Sequence, residues 1–361
     1  MMGFPLRKLT TFGLILALAA CGAQEPIPPR AITAEEVAEA EAYLKENATP
    51  LPDGWSFQKV TFGDAGGFVR VGHAAPDKPV ATVLFVPGYT SSPELASDFI
   101  AKWFALGIEV ASIDLPGQGG SVRRDDDAQK TYTGDFSLYG QAVGAGFDHI
   151  KARRVSEGPL IVAGDSLGGH VILRATADGE LEGLDGLFPL VPGLTPELGP
   201  VPVWLVRWMT KAAIDRGRGT DYMAGEGPWS PDAWDPEVMA YCGRGREDRI
   251  FKNQALFRTR SDLRVGGASQ EFGFGFVRSG RELAKSASLA ALAIPVTMVT
   301  AGQERVVKTA DAEKLCRDGM QNCDLIRIED ADHCLYLSPE RIQDQVHKAL
   351  LQLIERAKAR G

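Results

Sequence analysis

The sharpest constraint on this chain is the run Gly164-Asp165-Ser166-Leu167-Gly168-Gly169. A short apolar segment, residues 160–163, ends just before it, and an apolar helical pattern, residues 167–177, begins inside it. A strand that passes into a helix with almost no loop tolerates only small residues at the bend. Glycines on both sides of the serine let the backbone take a strained turn without side-chain clashes. Such a junction lifts the serine above the end of a buried strand and sets it at a helix N-terminus. It restricts the chain to architectures in which strands and helices alternate.

The flanking sequence keeps that alternation. Residues 80–86 (VATVLFV) are apolar apart from Thr82, as in a strand buried on both faces of a parallel sheet. Further strands are expected at 108–114, 184–190, 295–300 and 325–328, after a leading hairpin at 56–62 and 67–73. Helices are expected at 93–106 with Ser92 as N-cap, at 136–155, and at 339–358 with Ser338 as N-cap. Thr33 and Glu36 form a capping box that opens a helix over 34–47. The pattern predicts an α/β fold with a mostly parallel central sheet and helices on both faces. It lapses between about 191 and 286, a stretch rich in proline and glycine that carries Trp204, Trp208, Trp229 and Trp234. The expected organisation is a core at 32–190 and 287–361, with a mainly helical cap inserted at 191–286.

The N-terminus reads as an address. Arg7 and Lys8 precede a largely apolar run at 9–20, too short to span a bilayer, so residues 1–20 are an expected export signal. Leu18-Ala19-Ala20-Cys21 resembles the bacterial lipobox, which implies a lipidated Cys21 and a bacterial envelope location. Gly22 is not the aspartate of inner-membrane retention, which points to the outer membrane, facing the periplasm. Residues 21–31, with QEPIPPR at 24–30, read as a proline-rich tether. The whole chain has 39 basic and 47 acidic residues, for a net charge of −8. Without Arg7 and Lys8 the balance is 37 to 47, or −10. That charge excludes the basic footprint of a nucleic-acid binder and any electrostatic draw to anionic lipid, so membrane attachment falls to acyl chains. Four cysteines follow the signal: Cys242, Cys316, Cys323 and Cys334. In an oxidising compartment they allow three connectivities. Cys316–Cys323, close in sequence, is the expected pair. Cys242–Cys334 follows if the inserted segment folds over the site, and buried free thiols are the other outcome.

A serine hydroxyl is a weak nucleophile near neutral pH and needs a base. Of five histidines, His73 and His149 precede Ser166, His170 lies one turn into its helix, and His347 sits inside the last helix. His333 alone follows a late strand in a loop (ADHCLYLSPE), in the chain order serine, acid, histidine. The acid is expected in the loop after 295–300, where Glu304 is the candidate; Asp311 is the alternative and Asp332 a lesser one. Two backbone N–H groups would receive the developing oxyanion, that of Leu167 and that of Tyr89 in the loop Pro87-Gly88-Tyr89-Thr90. Neither cofactor nor metal is expected: the histidines are dispersed, and there is no C-x-x-C and no phosphate-binding glycine loop.

At this point the chain resembles the α/β-hydrolases. Within them it is similar to the bacterial lysophospholipase and monoacylglycerol lipase-like group, which also includes serine aminopeptidases. The matching stretches are PGYTS at 87–91, IDLPGQGGS at 113–121, GDSLGG at 164–169, FKNQALFRTRSDLRVGGAS at 251–269, AGQERVV at 301–307 and ADHCLYLSPE at 331–340. The resemblance implies Ser166 as nucleophile, His333 as base, Glu304 as acid, and Tyr89 and Leu167 as oxyanion donors. The chain departs from the group at Pro87 and Asp165, where histidine is common, and at Cys334, where glutamate is frequent. The implied activity is ester hydrolysis on a single-chain lipid, a lysophospholipid or monoacylglycerol, with the membrane reached through the lipid anchor. An aminopeptidase or amidase, or a general short-chain carboxylesterase, would use the same three residues. An amine-gripping carboxylate in the cap would then come from Glu226, Asp232 or Glu237. A binding protein on a disused hydrolase scaffold is the non-enzymatic alternative.

Overall fold

Thr33 Oγ1 accepts from the Glu36 N–H, and Glu36 accepts from the Thr33 N–H, so the capping box starts helix α1 (Ala34–Asn47). Described in this computed structural model are residues 29–63, 66–232, 242–243 and 245–360. The expected export signal, Cys21, the first part of the tether, Trp234 and Glu237 lie outside the described residues. After α1 come β1 (Ser56–Phe62), β2 (Gly67–Ala74), β3 (Ala81–Val86), α2 (Ser97–Ala105), β4 (Ile108–Ile113), α3 (Phe136–Lys151), β5 (Leu160–Asp165), α4 (Leu167–Asp178) and β6 (Gly186–Leu190). The inserted stretch holds α5 (Val203–Ile214), α6 (Glu247–Thr259) and α7 (Gln270–Leu283), with α8 (Ala287–Ala290) just after it. The chain then completes the sheet with β7 (Val296–Ala301), α9 (Thr309–Gly319), β8 (Cys323–Ile328) and α10 (Glu340–Lys358).

The eight strands form one sheet in the order β1-β2-β4-β3-β5-β6-β7-β8. Only β2 runs against the rest. Every residue of β3, β4, β5, β6 and β7 is buried, as their largely apolar sequences favour, with Glu109 and Asp165 the buried charged exceptions. One face of the sheet packs on Phe136, Val143 and Phe147 of α3, Val171 and Ile172 of α4, and Leu315 of α9. The other packs on Phe99 and Trp103 of α2 and on Val346, Leu350 and Leu353 of α10. The two layers are separate cores on either side of one sheet, which holds the ends of β3, β5 and β7 at a common height.

Three helix boundaries differ from the sequence expectation, each because a loop has its own hydrogen bonds. α2 begins at Ser97, not 93, since Ser91 and Ala96 N–H groups bond back to Gly88 and Ser92 carbonyls. α3 stops at Lys151 because the Val155 and Ser156 N–H groups turn to the buried Glu109 carboxylate. Pro339, with extended backbone, is the cap of α10; the Ser338 hydroxyl instead donates to the Cys334 carbonyl.

Residues 191–286 leave the sheet after β6 and return before β7. α7 is their anchor: it packs against α5 and touches α4, and Ser279 on it bonds His170 on α4. α1 lies along α6, with the Tyr43 hydroxyl donating to the Asp248 carbonyl. Arg30, expected within a free tether, is instead held by Glu36 and Asp232. Cys316–Cys323 is bonded, joining α9 to β8. Cys242–Cys334 is bonded too, with Cα atoms 4.8 Å apart, and ties the inserted stretch to the loop that carries His333.

Candidate active site

Ser166 sits at the bend between β5 and α4 with φ 53° and ψ −109°, a conformation that L side chains rarely adopt. Sterics explain its neighbours. A Cβ on Gly164 would come within 2.5 Å of the Gly168 backbone, and one on Gly168 within 1.9 Å of the Val86 carbonyl oxygen. The strained serine is held from both sides, its N–H donating to the Leu190 carbonyl and its carbonyl accepting from Gly193 and His170 N–H groups.

The side chains meet as a chain of hydrogen bonds. Ser166 Oγ lies 2.8 Å from His333 Nε2, and His333 Nδ1 lies 2.7 Å from Glu304 Oε2. Because an ionised carboxylate only accepts, Nδ1 carries the imidazole proton and Nε2 faces the serine as an acceptor. Glu304 Oε1 is fixed in turn by the N–H groups of Arg305, Val306 and Val307, at 2.9, 2.7 and 3.2 Å. Asp311, the alternative acid, lies in the first turn of α9 with none of these bonds. Asp332 bonds the Cys334 N–H and braces the histidine loop.

Electrostatics follow from this arrangement. Burial lowers the His333 pKa, but the hydrogen bond and charge of Glu304, aided by Asp165 and Asp332, outweigh it, and the net shift is upward. Burial raises the Glu304 pKa, yet His333 and the backbone N–H groups of Val306 and Val307 turn the net shift downward. The pair therefore favours a carboxylate beside an imidazole ready to accept a proton.

The loop after β3 closes on the serine. A Cβ on Gly88 would sit 3.3 Å from Ser166 Cβ, so the loop backbone is in contact with the nucleophile position. Gln118 clamps it, its Oε1 accepting from the Thr90 N–H and its Nε2 donating to the Gly88 carbonyl. Thr90 has φ 59° in this clamp. The Tyr89 ring stacks on Phe272 of α7, and its hydroxyl donates to the Gly266 carbonyl. Leu167 begins α4, so its N–H is one of the helix's unpaired amino-terminal donors. The two expected oxyanion donors thus belong to the residue after Ser166 and the residue after Gly88, whose backbone meets the nucleophile position.

Two residues at the site were given no role from sequence. Gln118 lies inside IDLPGQGGS, so the motif was visible but not its clamp. Asp165 is buried; loss of water pushes its carboxyl up to about 7, His333 opposes that and Glu304 adds to it. Its Oδ1 has no hydrogen-bond partner. His170, one turn into α4, is buried beside the site. Its Nδ1–H donates to the Gly193 carbonyl and its Nε2 accepts from the Ser279 hydroxyl.

The family model for serine aminopeptidase S33 matches residues 77–340, which include every residue of this hydrogen-bonded set. The chain belongs to this family of serine hydrolases. Among solved structures, it is similar to a soluble variant of the Saccharomyces cerevisiae monoglyceride lipase bound to a substrate analog. The TM-score is 0.66 at 15% identity, over 87% of this chain and 98% of that one. It is also similar to a thermostable carboxyl esterase of Bacillus coagulans bound to glycerol, with a TM-score of 0.59, 17% identity, and 85% and 99% coverage. For the Paleococcus ferrophilus monoacylglycerol lipase the values are 0.56, 14%, 83% and 99%. At these identities the likeness is one of fold, and it bears out the α/β-hydrolase expectation. No curated protein matches the sequence.

Proposed function

We propose that this S33-family hydrolase cleaves carboxylic esters of single-chain lipids, lysophospholipids or monoacylglycerols, through Ser166, His333 and Glu304. The observation that carries the reading is the continuous Ser166–His333–Glu304 hydrogen-bond chain on a strained turn. Ser166 Oγ attacks the ester carbonyl while His333 Nε2 takes its proton. Glu304 stays ionised and stabilises the imidazolium. The oxyanion falls to the N–H groups of Leu167 and Tyr89, each worth roughly 3 kcal/mol in such a site. His333 returns the proton to the leaving alcohol, and water repeats the cycle on the acyl-enzyme.

Lipid preference rests on three supports: the lipase neighbours, the lipobox-like Cys21, and the inserted helix α5. Trp204 and Trp208, one turn apart on α5, are 70% and 65% exposed. Indole rings in that position suit a membrane–water interface. In this reading the mature protein is lipidated at Cys21 and held in the bacterial envelope, in the outer membrane facing the periplasm. Incorporation of radiolabelled palmitate that is lost in Cys21→Ala tests the anchor.

One observation keeps the peptidase reading in view. Asp232 is engaged by Arg30, but Glu226 lies against Gly267, beside the residue that accepts the Tyr89 hydroxyl. A substrate amine would find that carboxylate near the oxyanion loop. The deciding experiment is a panel of lysolipids, monoacylglycerols, short soluble esters and aminoacyl-anilides on the full-length protein, with Ser166→Ala as control. Fatty-acid release from the single-chain lipids is expected. Turnover confined to anilides, and lost in Glu226→Gln, would reverse the assignment to an aminopeptidase.

A further inference from the structure

Tyr89 carries a backbone N–H that the turn around it does not use. The Ser91 N–H donates to the Gly88 carbonyl and closes that turn. The same carbonyl accepts from Gln118 Nε2 at 3.1 Å, and the Thr90 N–H donates to Gln118 Oε1 at 2.8 Å. Between these two held groups, and among the described residues, nothing accepts from the Tyr89 N–H. A planar trans peptide points its C=O and its N–H in opposite directions. The Gly88 carbonyl and the Tyr89 N–H belong to one such peptide, so whatever holds the carbonyl also aims the N–H. Thr90 has φ 59°, an outlying conformation for a β-branched residue, which persists where surrounding bonds impose it. Here those bonds come from Gln118.

Gln118 suits that clamp by its chemistry and by its anchorage. A primary amide offers a donor and an acceptor side by side, and this pair of backbone groups needs one of each. Glutamate lacks the donor, and methionine lacks both. Gln118 is buried, its own N–H donating to the Leu115 carbonyl and its carbonyl accepting from the Ser121 N–H. The Asp114 carboxylate braces the turn that carries it, accepting from the Gly120 N–H and from Arg70 Nε. Arg70 also bonds Glu94, just beyond the clamped loop, so one guanidinium ties both sides of the contact. We infer that Gln118 is a positioning residue for the oxyanion site. It holds the Gly88–Tyr89 peptide against the Ser166 position and keeps the Tyr89 N–H presented there. That role rests on the reading of Ser166 as nucleophile. Its effect belongs to the transition state, because the substrate carbonyl oxygen carries its full charge only after attack.

The test uses the full-length protein and a soluble butyrate ester, with active sites counted by exhaustive fluorophosphonate labelling, so that rates are per reactive Ser166. The second probe is an alkyl trifluoromethyl ketone. Ser166 Oγ adds to its carbonyl carbon, the serine proton passes to His333 Nε2, and the carbonyl oxygen becomes an oxyanion. Gln118→Met is expected to lower kcat per site about tenfold to a hundredfold, with KM within about threefold, and to raise the Ki of the ketone by a similar factor. The acid limb of kcat/KM should stay in place, since His333 and Glu304 are untouched. Gln118→Glu keeps the acceptor for Thr90 and loses the donor to Gly88. It should fall in the same direction, and it decides the matter should Gln118→Met fail to fold. A merely structural role would reduce the number of labelled sites and leave the rate at each one unchanged. Rates per site and Ki within about twofold of wild type in the folded variants, or a change in KM alone, would overturn the proposal. A wild-type protein that takes neither probe would overturn the Ser166 reading itself, and this role with it.

Discussion

His333 bonds the Ser166 hydroxyl and His170 bonds the Ser166 carbonyl through its backbone N–H, and both are buried, yet their environments drive them apart. Around His170 there is a carbonyl, a hydroxyl and the rings of Phe136 and Phe276. Burial pushes its pKa down to about 4; the Gly193 carbonyl resists and Arg174 adds to the fall. Around His333 burial acts in the same direction, but the Glu304 carboxylate reverses the outcome. A neutral partner makes a histidine a structural pin, and a charged one makes it a base. The two also give opposite stability slopes. The His333 contribution is present below its unfolded value of 6.5 and fades as pH rises through its raised folded value. For His170 the unfolded state binds the proton first, so stability falls as pH drops from 6.5 toward about 4.

The largest effects should fall on one side of that contrast. Ser166→Ala or His333→Ala is expected to lower kcat by at least about 10⁴, whereas His170→Gln should leave it within about tenfold. Steady-state ester hydrolysis checks both, and equal losses at the two histidines would break the distinction. Glu304→Gln should lower kcat by roughly 10²–10⁴. It should also move the acid limb of kcat/KM to lower pH, because the imidazole loses the charge that raised it. An unmoved limb would mean that Glu304 does not tune His333.

Smaller effects sharpen the same comparison. Cys242–Cys334 closes a 92-residue separation next to His333, and Cys316–Cys323 one of 7 far along α9. Loop-closure entropy assigns about 4–5 kcal/mol to the first and about 2 kcal/mol to the second. Cys242→Ser should therefore cost more stability in thermal unfolding than Cys316→Ser, and it alone should lower kcat by loosening the His333 loop. His170 should contribute on the order of 3 kcal/mol of acid-sensitive stability. A His170→Gln variant should flatten the fall in melting temperature between pH 6.5 and 4 relative to the wild type.

Much of this was readable before any coordinates, for physical reasons. Gly164, Gly168 and Ser166 obey a steric demand that is local, so the turn could be read from adjacent residues. Strands β3 to β7 are buried on both faces, and their largely apolar runs said so. His333 followed from chain order together with its place in a loop after a late strand, and Glu304 was the candidate in the loop after 295–300, with Asp311 left open. What stayed hidden depends on distant partners: the Gln118 clamp on Gly88 and Thr90, the Ser279 contact that makes His170 a pin, and the Glu109 carboxylate that ends α3 early. The inserted stretch is the extreme case. Its helices are marked by no local steric rule, and the solvent-facing positions of Trp204 and Trp208 could not be inferred from spacing.

The central claim is that Ser166 is a nucleophile activated by His333. Fluorophosphonate labelling of the full-length protein tests it most directly. One adduct on Ser166 is predicted, absent in Ser166→Ala, strongly slowed in His333→Ala and retained in His170→Gln. An unlabelled wild-type protein, or labelling that survives in Ser166→Ala, would contradict the account.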